Sequence, residues 1–393
     1  MIMNNLRNTY GVNFITMELI CLYVILFNLS IFAQPGIQLS NTFNPSTPLK
    51  LCYQNQNDKI EATNIASDNQ STIFIPLQGG RVQKLNLIKN SVSWISELGG
   101  EIVSDLILEN KRIYLITKIS RINFVKEDEI NKGAVSYILW SLDAETGVTN
   151  WQFPFISKGF VFLNSYQDQI FLTEKDGEII SIRKFDGQKI WNKNLLQRLS
   201  SPPSLFENKI YISTSDNSIL TVTADSGKII SKLLSLQSPA TNLITDGNKL
   251  YWGEKNGSVN LTHTLRDSRI WSVRYGGEIS SLNLTRNGVL VTSLDNFVYL
   301  ISLQKGKKIW KRRLAGRISV KPLVAGEFII LVTPADSNAV VLDLRNGRII
   351  NKISIADKGF ILSAPRIVHN LLVFSTNKGI FAFAQANIDC SQK

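Results

Sequence analysis

The chain is short of the residues that most enzymes use for chemistry. It has two histidines, His263 and His369, far apart and without the short fixed spacing of metal ligands, so a histidine metal centre is excluded. His263 sits where a strand meets a turn. Three cysteines, Cys21, Cys52 and Cys390, include no adjacent pair, and no serine or cysteine stands in a nucleophile-elbow phrase. Lys175-Asp-Gly-Glu-Ile and Lys255-Asn-Gly-Ser-Val look like phosphate loops, but no helix follows either one, so both read as hairpin turns. Interleaved aromatic and basic runs are missing, which argues against a nucleic-acid partner.

Long apolar runs are also missing, with one exception at the amino end. Arg7 and a polar stretch precede the run Leu19 to Phe32, which falls short of the ~20 residues that span a bilayer. It reads as a secretory signal, residues 1–33, cleaved after Ala33 and followed by a short linker, 34–45, with an uncleaved membrane anchor as the alternative. The mature chain then has no transmembrane span and is exported, periplasmic or secreted. Cys21 follows Glu18, Leu19 and Ile20 instead of the small residue of a lipobox, so lipidation is not expected. Cys52 and Cys390 remain, one near each end of the mature chain. They either form a disulfide, as exported proteins permit, or stay free; the bond requires Cα atoms within ~7 Å.

Acidic residues are outnumbered, 31 against 43 basic, for a net charge of +12. Such a field favours anionic partners: acidic proteins, lipid headgroups or cell-wall polymers. The densest cluster, Lys307, Lys308, Lys311, Arg312 and Arg313, alternates along one strand and reads as a solvated face.

What the sequence does have is a repeat. Trp94, Trp151, Trp191, Trp271 and Trp310 close copies of one phrase, such as Leu142 to Trp151, Ile182 to Trp191 and Ile301 to Trp310, and from Trp151 onward they are spaced by about 40 residues or twice that. Weaker copies end at Ser231 and Asn351. Each copy alternates apolar and polar residues up to a turn and again beyond it, as tight hairpins do. Turn signals at Gly79-Gly80, Gly133, Asp176-Gly177, Asp216-Asn217, Asn256-Gly257, Asp295-Asn296, Asn338 and Lys378-Gly379 mark a second hairpin in each unit. Several short strands at this period define an all-β propeller of four-stranded antiparallel blades, residues 46–393. The last unit lacks its fourth strand, and Pro48 to Tyr53 supplies it, closing the ring at eight blades. Seven is the alternative if that strand packs elsewhere. Blade 2 is longer than its fellows, with the surplus at Lys118 to Lys132, between its second and third strands.

The phrase Leu-Asp-x-x-x-Gly-x-x-x-Trp resembles the pyrroloquinoline-quinone (PQQ) repeat of quinoprotein dehydrogenases and their non-catalytic relatives, most of all the BamB-type outer-membrane assembly propellers. The resemblance implies that each Trp docks on the neighbouring blade and that Gly147, Gly187, Gly227, Gly306 and Gly347 permit the turns. Asn90 and Asp267 replace the Gly in two copies. It further implies a monomeric, non-catalytic, exported scaffold without cofactor, peripheral at the outer membrane, with protein partners in the β-barrel assembly machinery. On that basis Leu196 and Arg198, in the loop Leu195 to Leu199 between blades 3 and 4, are expected to contact a partner. The competing possibility is that these leucines begin the core of the next strand. A PQQ- and calcium-binding dehydrogenase is the second reading, although the family's vicinal disulfide has no counterpart here and no position carries over its catalytic Asp. The third is a module that binds anionic cell-wall or surface polymers.

Overall fold

The computed structural model describes residues 43–56, 59–119, 135–264, 268–318, 320–333, 338–388 and 390. The expected signal segment, most of the linker, nearly all of the blade 2 insertion, Gly133 and Asp267 lie outside the described residues.

Eight four-stranded antiparallel blades form a ring. Blade 1 runs Ala66–Ser67, Thr72–Leu77, Arg81–Asn86, Ser91–Glu97. Blade 2 ends in Arg112–Ile119, Val135–Asp143 and Thr149–Ser157, and its first position is shared by the short strands Glu101–Ile102 and Ile107–Glu109. Blades 3 to 7 follow in 161–194, 204–234, 244–274, 279–313 and 323–354. Blade 8 takes Arg366–Val368, Leu371–Thr376 and Gly379–Gln385 from the carboxyl end and Leu49–Asn55 from the amino end. That strand pairs from Leu49 with Gln385 to Asn55 with Ile380, so the ring closes without leaving a blade incomplete.

Second and third strands are almost wholly buried, as in Thr72–Leu77, because they are covered on both faces by neighbouring blades. Fourth strands are mostly exposed, as in Ser91–Glu97, and form the outer wall. The core is therefore divided into eight apolar clusters, one for each pair of adjacent blades. Phe43 is buried in the cluster between blades 7 and 8, so packed residues begin earlier than the expected start at residue 46. Asn338, read from sequence as a turn residue, is the first residue of a strand and pairs with Thr333. Residues 334–337, just before it, lie outside the described residues.

Across each blade one row of paired residues ends at the repeat's Trp position, for example Asn164, Phe171, Ser181, Trp191. The indoles of Trp94, Trp151, Trp191, Trp271 and Trp310 reach the hairpin of the following blade. There a Cβ on Gly147, Gly187, Gly227, Gly306 or Gly347 would come within 2.5–2.8 Å of the ring. Each indole N–H donates to the carbonyl of the residue that opens that turn, Ala144, Lys184, Ala224, Leu303 or Leu344, at 2.9–3.3 Å. One glycine thus provides both the positive φ of the turn and the space for the indole.

Three blade contacts lack the Trp: blade 4 has Ser231 at that position, and blades 7 and 8 use other chemistry. Asn351 of blade 7 donates both amide hydrogens to the incoming chain, to the Pro45 and Thr47 carbonyls at 2.9 and 2.7 Å. In blade 8 the row Arg366, Val373, Ala382 ends at Tyr53, which occupies the Trp position and is buried against Leu85 and Leu87 of blade 1. Cys52 beside it is joined to Cys390 in a disulfide with Cα atoms 5.4 Å apart. Among the described residues the only helical element is a 3-10 turn, Ala356–Lys358, and no helix is long and apolar enough to cross a membrane.

Candidate partner-binding rim

The turns between second and third strands and the loops from one blade to the next lie on one face of the ring. The loop Leu195 to Leu199 is tied there by backbone bonds: Leu195 N–H to Gly177 O, Leu199 N–H to Lys175 O and Ser215 N–H to Arg198 O, all 2.8–2.9 Å. Gly177 is needed at φ +103°, because a Cβ would fall 2.2 Å from the Gln197 carbonyl. Leu199 is buried in the core between blades 3 and 4, and Leu195 packs against it. Leu196 does the opposite. Its backbone is left-handed, φ +57°, and its side chain is 86% exposed. Such a conformation costs a leucine about 1 kcal/mol, and the N–H of Leu196 is held by the Asn194 side chain at 2.7 Å. The core reading of the loop's leucines thus describes Leu195 and Leu199 and not Leu196. Arg198 is exposed and pairs with Asp176 at 3.0 Å.

The repeat provides an internal comparison. The bond that Leu195 makes to the preceding turn is made in other blades by Leu98, Ser235, Tyr275 and Leu314. The residues that follow them are Gly99, Leu236, Gly276 and Ala315. Among these five loops leucine stands at the tip only at Leu196 and Leu236, on the two sides of blade 4, and Leu236 is 68% exposed, with Leu234 beside it at 63%. Phe160, whose carbonyl accepts the Lys175 N–H as that of Arg198 accepts Ser215, adds a 73% exposed ring one loop earlier. Phe160, Leu196 and Leu236 thus lie on successive loops around blades 3 and 4. Sequence reasoning named Leu196 and Arg198 and did not single out Phe160 or Leu236, although Leu236 follows Leu196 by one repeat.

Charge frames these apolar tips. Asp216, in the turn of blade 4, is pushed down to about 2 by the Thr214 and Ser218 hydroxyls, with Lys232 contributing. Glu174, buried behind the turn of blade 3, is raised by desolvation, although the Ser157 hydroxyl donates to it at 2.6 Å. The rim thus sets exposed apolar side chains beside charged ones.

A quinone held by calcium would need oxygen ligands around the axis of the ring. The innermost row runs Ala66, Ile107, Asn164, Ser204, Ile244, Asn283, Leu323 and Arg366, with one charged residue, a cation. Burial pushes the Arg366 guanidinium down, opposed by Asp105. The Asp105 carboxylate accepts from the backbone and side chain of Asn64 at 2.9 and 2.7 Å. Among the described residues no group of three or more His, Cys, Asp or Glu is placed to hold a metal. Calcium needs several oxygen ligands, so these residues do not fit that centre. Lys175-Asp-Gly and Lys255-Asn-Gly are hairpin turns between strands, and His263 ends a strand.

Fold and rim together define an eight-bladed PQQ-like propeller that presents its loops. The sequence model of the family described as "Outer membrane protein assembly factor BamB" matches residues 138–260 and 255–350. The chain belongs to this family. The outer membrane protein assembly factor BamB of Burkholderia pseudomallei (strain K96243) is 25% identical over 170 residues, 41% of this chain and 44% of that protein, so the match spans less than half of the relative. Among solved structures, BamB from Moraxella catarrhalis superposes with a TM-score of 0.64 at 15% identity, covering 87% of this chain and 99% of that one. The computationally designed Ika8 protein superposes at 0.69 and 12% identity, over 85% and 98%. These two likenesses concern the fold alone.

Proposed function

We propose that the protein is an exported, non-catalytic scaffold in outer-membrane β-barrel protein assembly, and that the rim around blade 4 docks its partner in the cell envelope. The observation that carries this reading is Leu196, held by its neighbours in a left-handed conformation with its side chain in solvent. Burial of Leu196 and Leu236 by a partner would recover what their exposure forgoes, about 1.5–3 kcal/mol each. Arg198 would add direction by exchanging Asp176 for a partner carboxylate. Family membership supports the setting, because the relatives are named as outer membrane assembly factors.

The test is affinity co-purification from the organism's own envelope, followed by native mass spectrometry. Barrel-assembly proteins should accompany the parent chain, and Leu196→Ala with Leu236→Ala should reduce their recovery tenfold or more, at roughly 2 kcal/mol per central residue. The reading is overturned if these variants, with folding verified, keep every partner and leave outer-membrane protein levels unchanged.

A further inference from the structure

The outer wall of the ring is not uniform in charge. No acidic residue occurs between Asp295 and Glu327, a stretch that contains the outer hairpin and outer strand of blade 6 and the loop that leaves it. Within it Lys305, Lys307, Lys308, Lys311, Arg313 and Arg317 are exposed, and Arg312 reaches across to the Gly347 carbonyl at 2.7 Å. Elsewhere on the ring several cations are paired with carboxylates: Lys184 with Glu109, Lys84 with Glu145, Arg198 with Asp176, Arg345 with Asp343. Among the described residues none of these seven outer cations of blade 6 and its exit loop pairs with a carboxylate, whereas Arg286, on an inner turn of the same blade, pairs with Glu327. The corresponding hairpin and outer strand of blade 2, residues 143–157, carry Asp143 and Glu145 and no Lys or Arg. In a ring of eight blades, blades 2 and 6 stand opposite each other, so the basic edge faces away from an edge whose hairpin and outer strand carry no cation.

A charged edge strand blocks unwanted strand pairing, but one or two charges suffice for that, and other outer strands have no more. The concentration on blade 6 incurs mutual repulsion that no local carboxylate relieves. The strand Lys308–Arg313 with its turn makes a stripe about 20 Å long. An isoleucine stands at its middle. The residue before the Trp position is an exposed isoleucine in several blades, and Ile309 is the most exposed of them, 50% against 39% for Ile190, 41% for Ile230 and 37% for Ile270. Cations around an exposed apolar side chain are the combination that binds anionic membrane surfaces.

We propose that the outer strand of blade 6 is a docking surface for an anionic phospholipid leaflet, and that the ring stands on this edge with blade 2 pointing away. The rim around blade 4 stays free, so one surface would hold the protein at the membrane while the other engages a partner. The field between the two edges orients the approach before contact, and salt weakens it.

The experiment is co-sedimentation of the mature protein with vesicles of phosphatidylglycerol in phosphatidylcholine, and with phosphatidylcholine alone, at about 0.1 M and about 1 M salt. Binding is expected only to the anionic vesicles at low salt. The triple variant Lys308→Gln, Lys311→Gln, Arg313→Gln should lower it at least tenfold, and Ile309→Ser should lower it less. All four side chains are exposed, and circular dichroism checks that the variants keep the parent fold. The proposal is overturned if the parent does not bind anionic vesicles or the triple variant binds them as well as the parent. It is also overturned if soluble polyglutamate binds as tightly as the vesicles while Ile309→Ser has no effect, which would make the stripe a site for an acidic protein.

Discussion

The indole of Trp310 lies against Gly347, where a Cβ would come within 2.5 Å of its ring, and its N–H reaches the Leu344 carbonyl at 3.0 Å. Both the packing and the hydrogen bond depend on the missing side chain. Gly347→Ala should therefore destabilise the protein twice over, through a φ of +67° that alanine disfavours and through displacement of the indole. The expected loss is about 2–4 kcal/mol, seen as a lower urea midpoint. A variant as stable as the parent would refute the docking role of this pair.

Asn351 should behave differently from the tryptophans, because blade 8 offers it the incoming chain instead of a glycine hairpin. Asn351→Ala removes two hydrogen bonds, to Pro45 and Thr47, and should cost about 1–3 kcal/mol. Faster amide hydrogen exchange in residues 43–55 is the specific sign. Asn351→Trp, which restores the repeat's own residue, should not recover the loss, since no glycine in blade 8 makes room for the indole.

These pairs show what was legible in the sequence. The fold was, because a propeller writes its period into every blade, and the Trp and Gly positions recur wherever an indole must pass a turn. Closure by the amino-terminal strand was legible too, since the last unit visibly lacked a partner. Tyr53 was not seen to hold the Trp place, because the strand that carries it has no hairpin phrase before it and its register comes only from pairing with Ala382. The conformation of the rim was not legible. Leu196 and Arg198 could be named from a resemblance, but the exposure of Leu196 depends on a backbone dihedral that no side-chain pattern records. The opposition of blades 2 and 6 required the blade count before the charges could be placed on a circle.

The disulfide between Cys52 and Cys390 joins the fourth strand of blade 8 to the residues just past its third strand, and so ties the two ends of the ring together. Replacing both cysteines with serine frees a loop of sequence separation 338 in the unfolded chain. Stability should fall by up to about 5 kcal/mol, while the strand itself stays in place through its ladder and Asn351. Urea unfolding of the parent with and without reductant should reproduce the difference. Equal midpoints would show that the ladder alone closes the ring.

Glu174 should make stability depend on pH in a recognisable direction. Desolvation raises its carboxyl above the ordinary 4.5; the Ser157 hydroxyl lowers it, and Glu178 and Asp176 raise it further. The unfolded chain therefore gives up this proton at a lower pH than the folded chain does. The stability Glu174 contributes is fully present below 4.5 and is lost as pH rises through the raised folded value. Glu174→Gln keeps an acceptor for Ser157 and removes the titration. The variant should gain on the parent between about pH 4 and about pH 8, by about 1 kcal/mol for each unit that the folded value is raised. Urea midpoints at the two pH values measure this, and a difference between the chains that does not change with pH would show that Glu174 is not held neutral by the fold.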